Sequence, residues 1–284
     1  MERDGPLGSA SRGSAEAERE AASFDDDDEV ASEKCGHMDG KVLMPRAQNI
    51  PTLTSARLAA DVLGVPTVLV ARADWLGATL VTSGVDPRDR PFLTGECTSE
   101  GYFCTRADLD AAITRALAYA PYADMSSWCE TSTPDREEAR RFAEAVLDQY
   151  PGRLSACNYS PSFNWRRHLD DDTIAGFRKE LGAMGYPVPS SSPWPVSTHS
   201  TPPCSSWPRY EVAEMSGQVE LQEREFALEA EGCNATRHQR EVGADYFDEV
   251  ATVFSGGRLP PPPWQGSTEA AQFDHGSMAG TASA

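Results

Sequence analysis

From residue 41 onward, short β-branched apolar runs alternate with amphipathic stretches, the pattern of repeated β-α units around a parallel sheet. The run Val65 to Arg72 predicts a strand, preceded by a helix over Ser55 to Leu63. Ala123 to Glu130 predicts a second strand, and the next helix should open with Thr133 as N-cap, Pro134 at its first position and acids in its first turn. Arg153 to Asn158 predicts a third strand, followed by a helix from about Asp172 to Met184. Polar residues stand where each strand runs out: Arg72 and Asp74, then Glu130, then Asn158. A (β/α)8 barrel builds its active site at that end of its strands. Taken singly, Arg72 or Glu130 reads as an ordinary salt-bridged or solvated side chain; taken as a series with one address, they suggest a shared site.

The pattern breaks twice. After Tyr186 another strand is due, yet residues 187–209 are rich in proline and serine, and proline brings neither an amide donor nor a free φ to a central strand. Ordinary structure resumes at Tyr210, with a helix over Val219 to Glu231. At the front, residues 1–30 are rich in Gly, Ser, Ala and Glu and close on the acidic run Asp25 to Glu29, a composition expected to be disordered. The same holds for residues 274–284. The expected organisation is thus an acidic tail (1–30), a central barrel portion (31–186), the Pro/Ser-rich segment (187–209), a C-terminal helical region with a lid (210–273) and a short tail.

The net charge of -19 argues against nucleic acid and anionic membrane surfaces as partners, because both demand a basic footprint. It leaves an acidic metabolite open, since such a site needs only a few local cations. The seven cysteines show no framework spacing and are odd in number, which predicts a reduced, cytoplasmic home. No apolar run is long enough to span a bilayer and no apolar signal core opens the chain, so a soluble protein is expected.

The densest candidate chemistry lies in Ser32-Glu33-Lys34-Cys35-Gly36-His37-Met38-Asp39-Gly40-Lys41-Val42-Leu43. The reactive form of cysteine is the thiolate, and cations lower its pKa from about 8.5 toward neutrality. Lys34, His37 and Lys41 offer that setting to Cys35. A loop cysteine without a role and a metal ligand are the plainer readings. No second Cys/His pair stands nearby to complete a zinc site, which favours an acid/base cysteine.

This segment, with Gln48 to Asp61, Val65 to Asp74 and Asn158-Tyr159-Ser160-Pro161-Ser162-Phe163-Asn164-Trp165, resembles isocitrate lyase of the bacterial, actinobacterial-like type. The resemblance implies an incomplete (β/α)8 barrel of the isocitrate lyase/phosphoenolpyruvate mutase type, lacking its early strands. It implies magnesium-dependent cleavage of isocitrate to glyoxylate and succinate, a step of the glyoxylate cycle, in a homotetramer with exchanged C-terminal helices. By resemblance, Cys35 is the acid that protonates the departing succinate carbanion and His37 helps to bind substrate and tune the thiol. Gly36 gives the backbone close approach. Arg72 clamps a substrate carboxylate, Asn158, Ser160 and Ser162 cradle the succinate part, and Glu130 supports the metal region. Ser267 to Phe273 resembles the tail that closes over the site. Methylisocitrate lyase is a sister possibility, which Asn158 to Trp165 disfavours, and a non-catalytic remnant that associates with an intact subunit is the alternative from another class.

The chain also departs from the family. The long N-terminal portion with the magnesium-binding aspartate has no counterpart, so the metal ligands stay unassigned. One lysine of the signature's Lys-Lys-Cys-Gly-His is missing, and Asp39 replaces a usual glycine. Where the family has a strand and a helix containing Ser-Met-Phe-Glu-Leu-Ala, codons such as TCC ATG TTC GAG CTG GCC read one base late give Pro-Cys-Ser-Ser-Trp-Pro, which stands at Pro203 to Pro208. A compensated pair of frame slips around 187–209 is therefore expected, leaving Trp194, His199, Cys204 and Trp207 without an evolved role. A clean in-frame insert on resequencing would sink that expectation.

Overall fold

In a computed structural model, residues 23–28, 41–99, 101–129, 135–158, 163–186, 188–189, 207–232 and 235–237 are described, with isolated positions at 240, 243, 246, 250 and 253. For 23–27, 128–129, 158, 188–189, 207–212, 230 and 235 the description is of the backbone alone.

Five parallel strands form the main sheet: β1 (Ser23–Asp27), β3 (Val68–Ala73), β7 (Met125–Cys129), β8 (Leu154–Asn158) and β9 (Val188–Pro189), in that order across it. Spatial order follows chain order, as in a barrel arc. A second sheet of four strands has the order β2 (Lys41–Leu43), β4 (Ala78–Val81), β6 (Phe103–Thr105), β5 (Leu93–Cys97); β2 comes before β3, and the other three come from the β3 to β7 connection.

Alternation along β3 sets the layers, because successive side chains point to opposite faces. Leu69 and Ala71 pack with Leu53 of helix α1 (Arg46–Leu63), with Tyr119 of helix α2 (Leu109–Tyr119) and with Ala123. Ala73 joins Trp75, Leu43, Ala111 and Ala112. Cys157 of β8 packs among Phe142 and Val146 of α3 (Arg136–Gln149), Trp165 of the short α4 (Trp165–His168), and Ile174, Phe177 and Leu181 of α5 (Asp171–Ala183). These odd-numbered strand positions face helices. Val70 and Arg72 therefore belong to the other face, the inside of the arc.

Helix α3 shows how local sequence meets this packing. Ala139, Phe142, Ala143 and Val146 fall on one stripe and are buried, while Arg140 bonds Glu137 and Glu144 on the exposed side. Its cap is Asp135, which accepts from the amides of Glu137 (2.7 Å) and Glu138 (3.4 Å). The cap thus sits two residues beyond the expected Thr133, which with Pro134 lies outside the described residues. Asp135→Ala should cost about 1 kcal/mol of stability, the usual worth of an N-cap, read from a urea unfolding curve. An unmoved curve would mean that the cap is not formed.

Four expectations are corrected. The acidic run expected to be disordered supplies β1 over Ser23–Asp27, paired in register from Ser23 opposite Val68 to Asp27 opposite Arg72, and Asp28 is fully buried. Composition misled because those backbone groups are satisfied by a neighbouring strand and the Asp28 charge by internal cations. The Pro/Ser-rich segment begins with a real strand: Val188 and Pro189 pair with Ala156 and Cys157, and the strand ends at the proline, which has no amide to donate. Helix α6 (Trp207–Ala227) starts before Tyr210 and breaks its regularity at Glu214, whose φ is 50°. The remainder of 187–209 and the tail 274–284 lie outside the described residues. Helix α1 also begins nine residues before the expected Ser55 and runs through Pro51 to a left-handed cap at Gly64 (φ 67°), where glycine avoids the Cβ clash.

Candidate active site

The C-terminal ends of β1, β3, β7 and β8 lie side by side. Arg72 is opposite Ser127, Ser127 is opposite Ala156, and Cys129 is opposite Asn158. Counting in twos along the strands puts the register positions of Arg72 and Asn158 on the same face, at the same rim. The sequence series is to that extent brought together. Cys35, Gly36, His37, Glu130, Ser160 and Ser162 lie outside the described residues, and Asn158 is described by its backbone alone. Ser267 to Phe273 also lies outside them.

What the structure adds is an internal ionic network beneath the rim. Arg72 directs Nε at both carboxylate oxygens of Asp74, at 3.2 and 3.0 Å. Lys41 Nζ reaches the same carboxylate at 2.6 Å, with both side chains fully buried. The Asp74 amide donates to Asp28 Oδ1 (3.0 Å), and Asp28 Oδ2 accepts from Arg115 Nη1 (2.7 Å) and the Tyr119 hydroxyl (3.1 Å). Arg115 Nη2 goes on to Asp89 (3.0 Å), which also takes Arg46 (2.6 Å). Arg115 stacks over the Trp75 ring at 4.9 Å, and the Trp75 indole donates to the Arg106 carbonyl (2.9 Å).

Burial opposes every charge here, so the partners decide. Burial pushes the Asp74 carboxyl up, yet the Lys41 and Arg72 charges outweigh it and keep it below the usual carboxylate range. Burial lowers the Arg115 guanidinium, but the Asp28 and Asp89 carboxylates more than offset this and raise it. Arg46 is lowered, since burial and the neighbouring Arg115 exceed what Asp89 restores. Burial, with Asp28, raises the Tyr119 hydroxyl, which stays a neutral donor.

Lys41 also has a role the sequence did not predict. Its ammonium is buried against Asp74, and its expected place beside Cys35 lies outside the described residues. Arg46, Asp89, Arg115 and Tyr119 were missed by the sequence reading. One signal was present: Leu109, Ala112, Ala116 and Tyr119 repeat at helical spacing, and Arg115 falls on that apolar stripe. A cation on a buried stripe needs an internal acid.

A polar satellite lies at the turn before β5. Asp86 accepts from the Arg88 amide (2.9 Å), Nε (3.0 Å) and Nη2 (2.7 Å). These bonds, against partial burial, pull the Asp86 carboxyl from its ordinary 3.8 down to about 2. A lowered carboxyl stabilises the fold above its unfolded value and loses that contribution as pH falls through the folded one. Asp86→Asn should thus be less stable than the parent near neutrality, with the gap closing between about pH 4 and pH 2 in urea titrations. A gap unchanged across that window would refute the pairing.

Among the described residues, no group of three His, Cys, Asp or Glu side chains is placed to hold a metal. Asp28 and Asp74, whose side chains are described, already have cationic partners, and the side chains of Asp27 and Glu130 lie outside the description.

An arc of five parallel strands backed by helices, with an arginine held at its C-terminal rim, is part of an α/β barrel fold, which places its polar residues at the strand ends. The isocitrate lyase family description matches residues 15–100 and 96–261. The chain belongs to that family. It is 53% identical over 254 residues to isocitrate lyase 1 of Mycobacterium tuberculosis (strain Erdman), covering 87% of this chain and 58% of that protein. It is 49% identical over 263 residues to the isocitrate lyase of Escherichia coli K12, covering 89% and 59%. The chain thus spans somewhat under three fifths of the length of these curated relatives. Among solved structures, oxaloacetate acetylhydrolase matches with a TM-score of 0.40 at 18% identity, covering 74% of this chain and 61% of the other. 2,3-Dimethylmalate lyase, described as a PEP mutase/isocitrate lyase superfamily member, matches at 0.39 and 19%, covering 83% and 62%.

Proposed function

We propose that the chain is the later part of an isocitrate lyase and that its rim serves cleavage of isocitrate to glyoxylate and succinate. The observation that carries this is 53% identity over 87% of the chain. In this reading Arg72 takes a substrate carboxylate by charge-assisted hydrogen bonds, with Asn158, Ser160 and Ser162 as further donors from the end of β8 and the residues after it. The carbon-carbon bond breaks, the hydroxyl carbon becomes the glyoxylate aldehyde as its hydroxyl proton passes to water, and the electron pair stays on a carbon of the succinate fragment. Cys35 gives its proton to that succinate carbon, and its thiolate takes one back in the reverse direction. His37 tunes the thiol, Gly36 lets the backbone approach, and Glu130 supports the metal region. Magnesium, the homotetramer, the glyoxylate cycle and a cytoplasmic location belong to the reading on family resemblance. No described helix is long and apolar enough to cross a membrane.

A second reading, a non-catalytic portion that associates with an intact subunit, is favoured by coverage of only 58% of the relative's length. Incubating the purified chain with isocitrate and magnesium and trapping glyoxylate separates the two. Turnover above a Cys35→Ser control supports the enzyme; glyoxylate no greater than that control leaves the associating portion. Methylisocitrate as substrate tests the sister activity, which Asn158 to Trp165 disfavours.

A further inference from the structure

We propose that Lys41 and Asp74 are positioning residues for Arg72: the buried pair fixes the guanidinium at the rim so that it meets a dicarboxylate in one orientation. The inference rests on the reading of Arg72 as the carboxylate clamp. A long arginine side chain free to sample its rotamers loses that freedom on binding, whereas one already fixed loses little. Arg72 is fixed through Nε, by both oxygens of Asp74. Asp74 is itself immobile on three counts. It is fully buried, Lys41 Nζ holds Oδ1 at 2.6 Å, and its own amide is tied to Asp28, which Arg115 and Tyr119 anchor to α2. Arg72 alone among these ion-paired side chains reaches the surface, at 13% exposure against 0% for Lys41, Asp74, Asp28 and Arg115. Lys41 opens β2 of the second sheet, while Arg72 and Asp74 lie at the end of β3 in the first. The pair therefore sets the clamp relative to two sheets at once. Lys41 touches no substrate in this arrangement; it acts through Asp74 and then Arg72.

The test is a double-mutant cycle on the full chain, with succinate as the probe in isothermal titration. The paired change K41M/D74N removes the strut without leaving either charge buried alone, and circular dichroism checks that it folds. Lys41→Met is a second route should the pair fail to fold. Removing the strut should weaken succinate by about tenfold or more, as should Arg72→Met. Because both act through one guanidinium, Arg72→Met on top of the strut change should cost less than about a further threefold. Two full, independent losses would overturn the proposal, as would a folded strut variant that binds like the parent. If the parent itself binds no succinate, the substrate reading fails, and peptide-mapped phenylglyoxal modification of Arg72 decides the positioning separately. A rise of about fivefold or more in the strut variant, with Arg88 unchanged, supports a guanidinium held by Asp74. An equal rate overturns it.

Discussion

Arg115→Met should lower folding stability by about 3–5 kcal/mol, at the upper end of what breaking a buried ion pair costs. The reason is arithmetic of partners. Arg115 serves Asp28, Asp89, the Met44 carbonyl and the Tyr119 hydroxyl from a position with no solvent exposure. Methionine fills much of the same volume and keeps contact with the Trp75 ring, so the loss is not one of packing. Two buried carboxylates lose a cation together. With an unfolding slope of about 2 kcal/mol per molar urea, the midpoint should fall by about 2 M. A fall worth less than about 1 kcal/mol would show that Asp28 is not internal. It would also detach β1 from the reading, since Asp28 directly follows that strand.

Trp165→Ala should cost about 3–5 kcal/mol for a different reason, the cavity left by a large core side chain. Trp165 is fully buried and meets Phe163 edge-on at 5.4 Å and Phe177 at 5.2 Å. Its amide donates to Gln222 Oε1, whose Nε2 donates to the Phe163 carbonyl at 2.6 Å, so the same spot binds α6 to the β8 side of the sheet. This tryptophan sits in a cluster with residues of α2, α3, α5 and α6, whereas Arg115 on α2 is bonded to Asp28 and Asp89. Trp165 meets Phe163, Phe177 and Gln222 while Arg115 meets Asp28, Asp89 and Trp75, so the two losses should add to within about 0.5 kcal/mol. A combined loss well short of the sum would mean that the two regions unfold separately.

Much of the fold was legible along the chain. The strand expected at Arg153 to Asn158 is β8 with one residue trimmed, and the helix expected at Asp172 to Met184 is α5 shifted by one. Both have uninterrupted periodicity and a clear start. Helix α1 was cut short in the reading because Pro51 removes one backbone donor, which is a real local cost. Burial of Arg46, Asn49 and Leu53 on the same helix overrides it. The second sheet carries short strands of three to five residues, too brief for alternation to register. The candidate site was legible as a set of addresses: Arg72 and Asn158 stand near the C-terminal ends of two strands of one sheet, with β7 between them. Its supporting charges were not, because a lysine, an aspartate or an arginine looks the same in sequence whether it is solvated or sealed inside.

By itself, the sequence determined the period of each element, the placing of polar residues at strand ends and the family to which the chain belongs. Those follow from local rules: side-chain alternation, capping chemistry and the order of short motifs. Only the tertiary structure decided that the acidic run near the front becomes a strand with a buried aspartate, and that Lys41 pairs with Asp74. Those outcomes depend on which charge meets which after the chain has folded. A buried ion is stable only beside a partner, and Asp28 and Arg115 stand 87 residues apart in the chain.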